Sequence, residues 1–248
     1  MAGSGPDGVL ADRRQGWEDE LSFWDHWLET RGYNWPEDYD RKTDPDAPIL
    51  IPRRFLPAPA HGAARFLPGA RPRISILDVG SGPLSIVGTR LRGVDVELVP
   101  VDPLADRYTE LLARHGVKAP VPTRRCAAES LADELGEGRF DVVHCQNALD
   151  HSADPLAGLV QMTKVVKPGC WIVLKHTLDE GETESYVGLH DWNFNLEDGR
   201  FVIWRPGERI YPDEHLDLAE RIETEIVDED GYRWVRVGIL RRESAEQR

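Results

Sequence analysis

The sequence of 248 residues has little cysteine, little basic charge and no long apolar run. Its three cysteines, Cys126, Cys145 and Cys170, have spacings that fit neither a zinc site nor a disulfide framework, so we expect reduced thiols and a cytoplasmic protein. The chain has 44 acidic and 30 basic residues, and its net charge of −14 disfavours nucleic acid and anionic membranes as partners. We find no secretion signal and no apolar stretch of about 18 residues that would span a bilayer. A small-molecule substrate is the expected partner.

The most informative stretch is Ile-Ser-Ile-Leu-Asp-Val-Gly-Ser-Gly, residues 74–82. Its β-branched run predicts a buried parallel strand that turns sharply into a helix, and its glycines allow a ligand to approach the backbone. A second apolar run, Val96 to Val101, ends in Asp102, where dinucleotide-binding folds hold a ribose. Asp78 favours a ligand with a positive centre over a pyrophosphate. Ser85 replaces the third glycine of the dinucleotide pattern, which weakens the alternative of a nicotinamide oxidoreductase.

These residues resemble the motifs of class I S-adenosylmethionine-dependent methyltransferases. The resemblance covers about residues 73–176, with motifs in the expected order at Leu77–Gly82, Val101–Asp102, Ala128–Leu131, Phe140–Cys145 and Val165–Leu174. The sequence departs from the family pattern at Leu84, where a third glycine is usual, and at Ala127, where an acid often binds the adenine. The alternative is a plain strand–turn–helix whose glycines serve packing alone.

The resemblance implies a Rossmann-like α/β fold with a mostly parallel seven-stranded sheet. The terminal antiparallel hairpin of that sheet is predicted at residues 222–227 and 232–240, around a four-residue loop. It also implies S-adenosylmethionine as the cofactor. The residues expected to bind it are Asp78, Gly80, Ser81, Gly82, Asp102, Pro103, Ala128, Glu129, Gln146 and Asn147.

Hydrophobic periodicity divides the chain into a disordered tail (1–10), a helical lid with a connection (11–72) and the cofactor-binding domain (73–248), which carries an acidic, loop-like insertion at 177–200. Helices are predicted at 11–31, 83–91, 103–115, 129–135 and 154–166. Strands are predicted at 73–79, 96–101, 121–126, 140–145, 170–176 and 201–204.

The first predicted helix is rich in tryptophan. Trp17, Leu21, Trp24 and Leu28 recur on one helical face, and Gly32 is the expected stop. One interpretation packs this helix onto the core. A second makes it a lid, with Trp24 contacting the substrate, and a third a contact in a homodimer.

Three polar segments follow the predicted fourth and fifth strands and converge on one edge of the sheet. We predict His151 as the general base, oriented by Asp150, with His190 as the second candidate. The residues expected to contact the substrate are His176, Trp192 and Asn193. The alternatives are that His151 caps a helix and that the loop of His190 merely packs.

A divalent metal held by His176, Asp179, Glu180 and His190 is a further alternative, but their spacing matches no strong metal motif, so no metal is predicted. The segments 147–155 and 188–194 loosely resemble bacterial glycan and natural-product methyltransferases. We therefore expect O-methylation of a sugar, a nucleoside or a natural-product intermediate. Rival functions are a non-methylating reaction on the same fold and a non-catalytic binding or scaffold protein.

Overall fold

The computed structural model describes residues 6–57, 71–229 and 231–243, with side chains from residue 13 onward. Its helices are α1 (Pro6–Glu29), α2 (Pro36–Thr43), α3 (Ala105–His115), α4 (Leu131–Leu135), α5 (Pro155–Val165) and α6 (Glu180–Thr183). Its strands are β1 (Arg73–Val79), β2 (Asp95–Asp102), β3 (Arg124–Arg125), β4 (Phe140–Gln146), β5 (Val166–Thr177), β6 (Asn193–Glu197), β7 (Arg200–Arg205), β8 (Glu208–Ile210), β9 (Ala219–Glu229) and β10 (Tyr232–Arg241).

Seven strands form one sheet in the order β3-β2-β1-β4-β5-β10-β9. The first five are parallel, whereas β10 runs antiparallel to both β5 and β9. Six consecutive residues of β1, Ile74 to Val79, are buried, as expected for a central strand covered on both faces. The predicted mostly parallel seven-stranded sheet and its terminal antiparallel hairpin are confirmed.

The carboxyl ends of β1, β2, β4 and β5 lie side by side. Val79 pairs with Val101 on one side and with Cys145 on the other, and Gln146 pairs with Lys175. The turns that leave these strands therefore meet along one edge, which is where ligands bind in open α/β sheets.

The predicted helix at 83–91 is wrong. This segment is a series of turns that bonds to the chain before β1: the amides of Thr89 and Arg90 donate to the carbonyl of Ala47, at 2.9 and 3.0 Å. Gly88 has φ +84°, and a Cβ placed there would come 2.4 Å from the carbonyl oxygen of Pro48. This close approach to another chain segment fixes a left-handed backbone, which a helix cannot contain.

Four other regions differ in structure from the sequence prediction. The connection 33–72 contains α2 and a short 3₁₀ turn at Arg53–Phe55, although residues 58–70 lie outside the described part of the chain. The insertion 177–200 contains α6 and β6, and β6 joins β7 and β8 in a separate antiparallel sheet. Of the strand predicted at 121–126, only β3 forms. Of the predicted disordered tail, residues 1–5 lie outside the described residues and α1 begins at Pro6.

Helix α1 packs against α3 through one apolar face. Leu21, Trp27 and Leu28 are buried in a cluster with Tyr108 and other side chains, and Gly32 follows the helix with φ +104°. Trp17, which the periodicity placed on this face, is 40% exposed. No helix within the described ranges is long and apolar enough to cross a bilayer.

Candidate active site

The turn after β1 holds Gly80, Ser81 and Gly82 against the end of β2. The amides of Gly80 and Ser81 donate to the carbonyl of Val101, at 2.8 and 3.1 Å, and both glycines have φ above +60°. The amide of Gly82 donates to Oδ2 of Asp102 at 3.1 Å. The glycine loop and the acid of the next strand therefore form one unit, as the spacing predicts.

The carboxylate of Asp102 is only 8% exposed, and its Oδ1 accepts from the amide of Leu104 at 2.9 Å. Burial raises the pKa of Asp102 to about 7, although its hydrogen bonds with Leu104 and Gly82 work in the opposite direction.

Asp78 turns its carboxylate toward neighbouring side chains of the fold. Its Oδ1 hydrogen-bonds with Nδ1 of His144 at 2.7 Å, and its Oδ2 accepts from the hydroxyl of Ser85 at 2.6 Å. Asp78 is 2% exposed and His144 is 6% exposed. Ser85, which stands where the dinucleotide-binding pattern has its third glycine, thus supplies the second side-chain hydrogen bond to the carboxylate of Asp78.

The three predicted catalytic side chains meet beyond the ends of β4 and β5. Asp150 and His151 lie on a 3₁₀ turn at Leu149–His151, which follows Asn147 with φ +48°. His190 comes from the insertion, and the amide of the next residue, Asp191, donates to the carbonyl of Asp150 at 3.3 Å. We call Asp150, His151 and His190 the triad.

The atoms of the triad are close enough to interact directly. Oδ2 of Asp150 lies 3.2 Å from Nε2 of His151 and 3.1 Å from Nδ1 of His190, and the two nitrogens are 3.1 Å apart. The side chain of Asp150 is 1% exposed, whereas those of His151 and His190 are 20% and 26% exposed. The two imidazoles are therefore partly open at the mouth, over a buried carboxylate.

The electrostatics of the triad follow from this burial. Burial acts to raise the pKa of Asp150, but the nearby imidazoles of His151, His190 and His176 outweigh it and the net pKa is lowered. Burial acts to lower the pKa of His190, and the hydrogen bond and charge of Asp150 raise it overall. For Glu180, burial and then the charge of Asp150 raise the pKa to about 7.

Comparison with known proteins gives a consistent assignment. Residues 53–210 match the family model described as a methyltransferase domain, which is more than half of the chain. The chain belongs to this methyltransferase family. The expected class, an S-adenosylmethionine-dependent class I methyltransferase, and its cofactor are confirmed at the level of the family.

Among similar proteins, the ubiquinone biosynthesis O-methyltransferase of Alkalilimnicola ehrlichii is 32% identical over 145 residues, or 52% of this chain and 57% of that protein. The protein of the same name from Leptothrix cholodnii is 32% identical over 104 residues, or 41% and 43%. The chain thus spans about half the length of these relatives. The solved 1,6-didemethyltoxoflavin-N1-methyltransferase of Burkholderia thailandensis is 14% identical with a TM-score of 0.49, covering 98% of this chain and 93% of that one.

The glycine loop of this methyltransferase is covered by α1. A Cβ at Gly82 would come 2.8 Å from Cζ2 of Trp24. The indole N–H of Trp24 donates to Glu20 at 2.7 Å, and the ammonium of Lys42 lies 5.0 Å from the centre of its ring. Trp24 of α1 therefore lies directly on the glycine loop.

The other residues expected to bind the cofactor differ in their exposure and in their partners. Glu129 uses Oε1 to accept from the amides of Ala153 and Asp154, at 3.1 and 3.3 Å, while Pro103 is exposed beside α3. Ala128 packs near the backbone of Gly158. Gln146 ends β4 in a half-buried position.

Asn147, the last residue expected at the cofactor, bridges the two central strand ends. Its amide nitrogen donates to Glu180 at 3.0 Å, and its oxygen accepts from the amide of Thr177 at 2.9 Å. No local pattern indicates this bridge, because its partners lie 30 residues and more away in the sequence.

Three of the four residues expected to contact the substrate are buried. Asn193 has no exposed surface, and its amide group bonds to the backbone of Glu182 at 2.7 Å and to the hydroxyl of Tyr186 at 3.0 Å. Trp192 is 3% exposed and His176 is 1% exposed. Asn193, the first residue of β6, thus supports the insertion from within by tying β6 to α6 and to Tyr186. Of the predicted substrate residues, Trp24 alone is half-exposed.

Sequence reasoning missed Glu20 and Arg13, two residues of α1 at this site. Oε2 of Glu20 lies 3.7 Å from Nδ1 of His151. The guanidinium of Arg13 donates to the carbonyl of His151 at 2.8 Å and to the carboxylate of Asp191 at 3.0 Å. Arg13 and Glu20 are seven residues apart, a spacing that places both on one face of a helix. The sequence therefore indicates that they share a face, but only the fold shows that this face covers the site.

Proposed function

We propose that this methyltransferase transfers the methyl group of S-adenosylmethionine to a hydroxyl group of a polar small molecule, such as a sugar, a nucleoside or a natural-product intermediate. The observation that carries the proposal is the triad at the carboxyl edge of the sheet, one strand away from the glycine loop. Support for O-methylation comes from the names of the two relatives, both ubiquinone biosynthesis O-methyltransferases. The net charge of −14 supports a small molecule over a nucleic acid.

In this proposal the chain aligns the acceptor oxygen, the methyl carbon and the sulfur, and positioning of this kind lowers a displacement barrier by several kcal/mol. His151 takes the hydroxyl proton through Nδ1, while Asp150 holds the imidazole in place through Nε2, 3.2 Å from its Oδ2, and stabilises its charged form. His190 is hydrogen-bonded to the same carboxylate oxygen and is the second candidate. The cofactor residues keep their predicted roles, with Asp102 at the ribose and the loop of Gly80 and Gly82 beneath the methionine arm.

We also propose that α1 is a lid. Trp24 packs on Gly82, and Arg13 ties the helix to the loops of His151 and Asp191, so the cofactor enters when α1 moves away. The Trp24→Ala variant should bind S-adenosylhomocysteine with a faster association rate in stopped-flow fluorescence. An unchanged association rate would contradict the lid.

Activity is tested with labelled methyl donor and panels of sugars, nucleosides and natural-product intermediates, with mass spectrometry of each product. A product that gains one methyl group supports the proposal. A product that is changed but not methylated would support a rearrangement or decarboxylation on this fold, and binding of the cofactor without turnover would support the scaffold alternative. His151→Ala should lower turnover by ~10²–10⁴ and leave the calorimetric affinity for S-adenosylhomocysteine unchanged. The matched control is His215→Ala, since His215 is exposed and lies outside the site.

For the assembly we propose a homodimer that works in the cytoplasm. Trp17 and Phe23 are 40% and 44% exposed on α1, which supports a second copy of the chain as the partner of this helix. Sedimentation velocity of the full chain should give the mass of a dimer, and the Trp17→Glu variant should give a monomer. A monomeric wild type at all concentrations would refute the dimer.

A further inference from the structure

The atoms of the triad form a nearly equilateral triangle. Nε2 of His151, Nδ1 of His190 and Oδ2 of Asp150 are separated by 3.1, 3.1 and 3.2 Å. The chain brings them together from segments that lie 39 residues apart. Three hydrogen bonds hold the segments in register: the amide of Asp191 donates to the carbonyl of Asp150, and Arg13 donates to the carbonyl of His151 and to the carboxylate of Asp191.

With Asp150 ionised, hydrogen bonds alone cannot satisfy all three edges of this triangle. If both imidazoles donate to Asp150, two N–H groups face each other across 3.1 Å. If one imidazole donates to the other, the unprotonated nitrogen turns its lone pair toward the carboxylate. Each arrangement of protons therefore leaves one edge with like groups opposed, whereas a cation at the centre attracts the lone pairs of all three atoms.

The lengths of the edges agree with metal coordination. Metal–nitrogen and metal–oxygen bonds of about 2.0–2.2 Å, at angles of about 90–109°, separate neighbouring ligand atoms by about 2.8–3.6 Å. The three separations in the triad lie inside this range. Two imidazoles and one carboxylate are a common donor set for divalent transition metals, and they leave positions open for a further ligand.

A second observation also points to a missing ligand. Among the described residues, none hydrogen-bonds to Oδ1 of Asp150 or to either ring nitrogen of His176, although both side chains are 1% exposed. Nδ1 of His176 lies 4.0 Å from Oδ1 of Asp150. Buried polar atoms without partners are costly, so an ion that engages Asp150 and one ring nitrogen of the neighbouring His176 would offset part of this cost.

We propose that the triad binds one divalent transition-metal ion of the Zn²⁺, Mn²⁺ or Fe²⁺ class, with His176 as an additional ligand, directly or through water. The catalytic role of this ion rests on the proposed hydroxyl acceptor, whereas the existence of the metal site does not.

The acceptor hydroxyl binds at an open position of the ion, which makes its proton more acidic. The O–H bond breaks and the proton passes to water at the mouth. The oxygen lone pair forms the new O–C bond, and the electron pair of the broken C–S bond stays on sulfur. Nε2 of His151 is then a ligand and Nδ1 of the neutral ring carries a proton, so this assignment replaces the imidazole base.

Metal binding is tested directly on the full chain after removal of metals by a chelator. Titration calorimetry with ZnCl₂ and with MnCl₂ should show one site in the wild type. The His190→Ala and Asp150→Asn variants should bind at least tenfold more weakly, while the exposed control His215→Ala should match the wild type. Visible absorption after addition of Co²⁺ reports coordination by nitrogen independently, and thermal unfolding shows whether each variant is folded.

The outcomes separate this inference from the proposed function. One site that weakens in both folded triad variants supports the metal. The absence of binding to the wild type, or equal affinity in the wild type and His190→Ala, overturns it. Methylation that survives chelation and is lost in His151→Ala overturns the catalytic role of the ion and supports the imidazole base. Metal binding at the triad without methylation of any acceptor keeps the site and refutes the proposed function.

Discussion

Substitution of Gly82 by alanine tests whether α1 lies on the glycine loop. Gly82 has φ +62°, and an added Cβ would be 2.8 Å from Cζ2 and 3.3 Å from Cε2 of Trp24. The variant is therefore destabilised in two ways. Alanine must adopt a left-handed backbone, and its Cβ contacts a ring that is held by Glu20 and neighbouring aromatic side chains.

The two costs have different sizes. A left-handed alanine costs about 1–2 kcal/mol, and an extra methyl group in a packed contact costs about 1–3 kcal/mol. We expect Gly82→Ala to lower the free energy of unfolding by about 2–5 kcal/mol in total. In a Trp24→Ala background only the backbone cost remains, so the coupling energy between Gly82 and Trp24 should be about 1–3 kcal/mol.

The assay is urea unfolding of the wild type, the two single variants and the double variant. Gly116→Ala is the matched control, since Gly116 has φ +64° and no atom lies within 4 Å of the position of its added Cβ. Its cost should be that of the backbone alone and should not depend on Trp24. If Gly82→Ala is equally destabilising with and without Trp24, the helix does not cover the loop and the lid proposal fails.

Two further predictions concern buried and capping carboxylates. Because burial raises the pKa of Asp102 from 3.8 to about 7, the folded protein keeps a proton there that the unfolded chain releases, so this contribution to stability is present below pH 3.8 and is lost as the pH rises to about 7. As the pH rises over this range, the unfolding midpoint of Asp102→Asn should fall less than that of the wild type. The exposed Asp133→Asn is the control and should behave like the wild type. Parallel plots of unfolding midpoint against pH for all three proteins would contradict the raised pKa of the buried carboxyl. Asp154→Ala should lower the free energy of unfolding by about 0.5–2 kcal/mol, because Oδ1 of Asp154 accepts from the amide of Ala157 at the start of α5. An unfolding free energy equal to that of the wild type would show that this cap is unimportant.

The sequence by itself determined the central sheet and the order of its motifs. Runs of β-branched residues such as Ile74–Val79 encode a buried strand locally, and the step of about 20 residues from Gly82 to Asp102 places the acid at the end of the neighbouring strand. The terminal hairpin was also predictable, because alternating apolar residues flank a short turn rich in Asp and Gly. The identities and places of Asp150 and His151 after β4 follow from the same local patterns.

Only the tertiary structure decided what surrounds these motifs. The segment after Gly82 is not helical because Gly88 packs against Pro48, a contact between distant parts of the chain. His190 reaches Asp150 through the fold of the insertion, and Trp24 reaches Gly82 through the docking of α1 on α3. Periodicity shows which face of an element is apolar, but the partner of that face is set by packing and by hydrogen bonds between residues far apart in sequence.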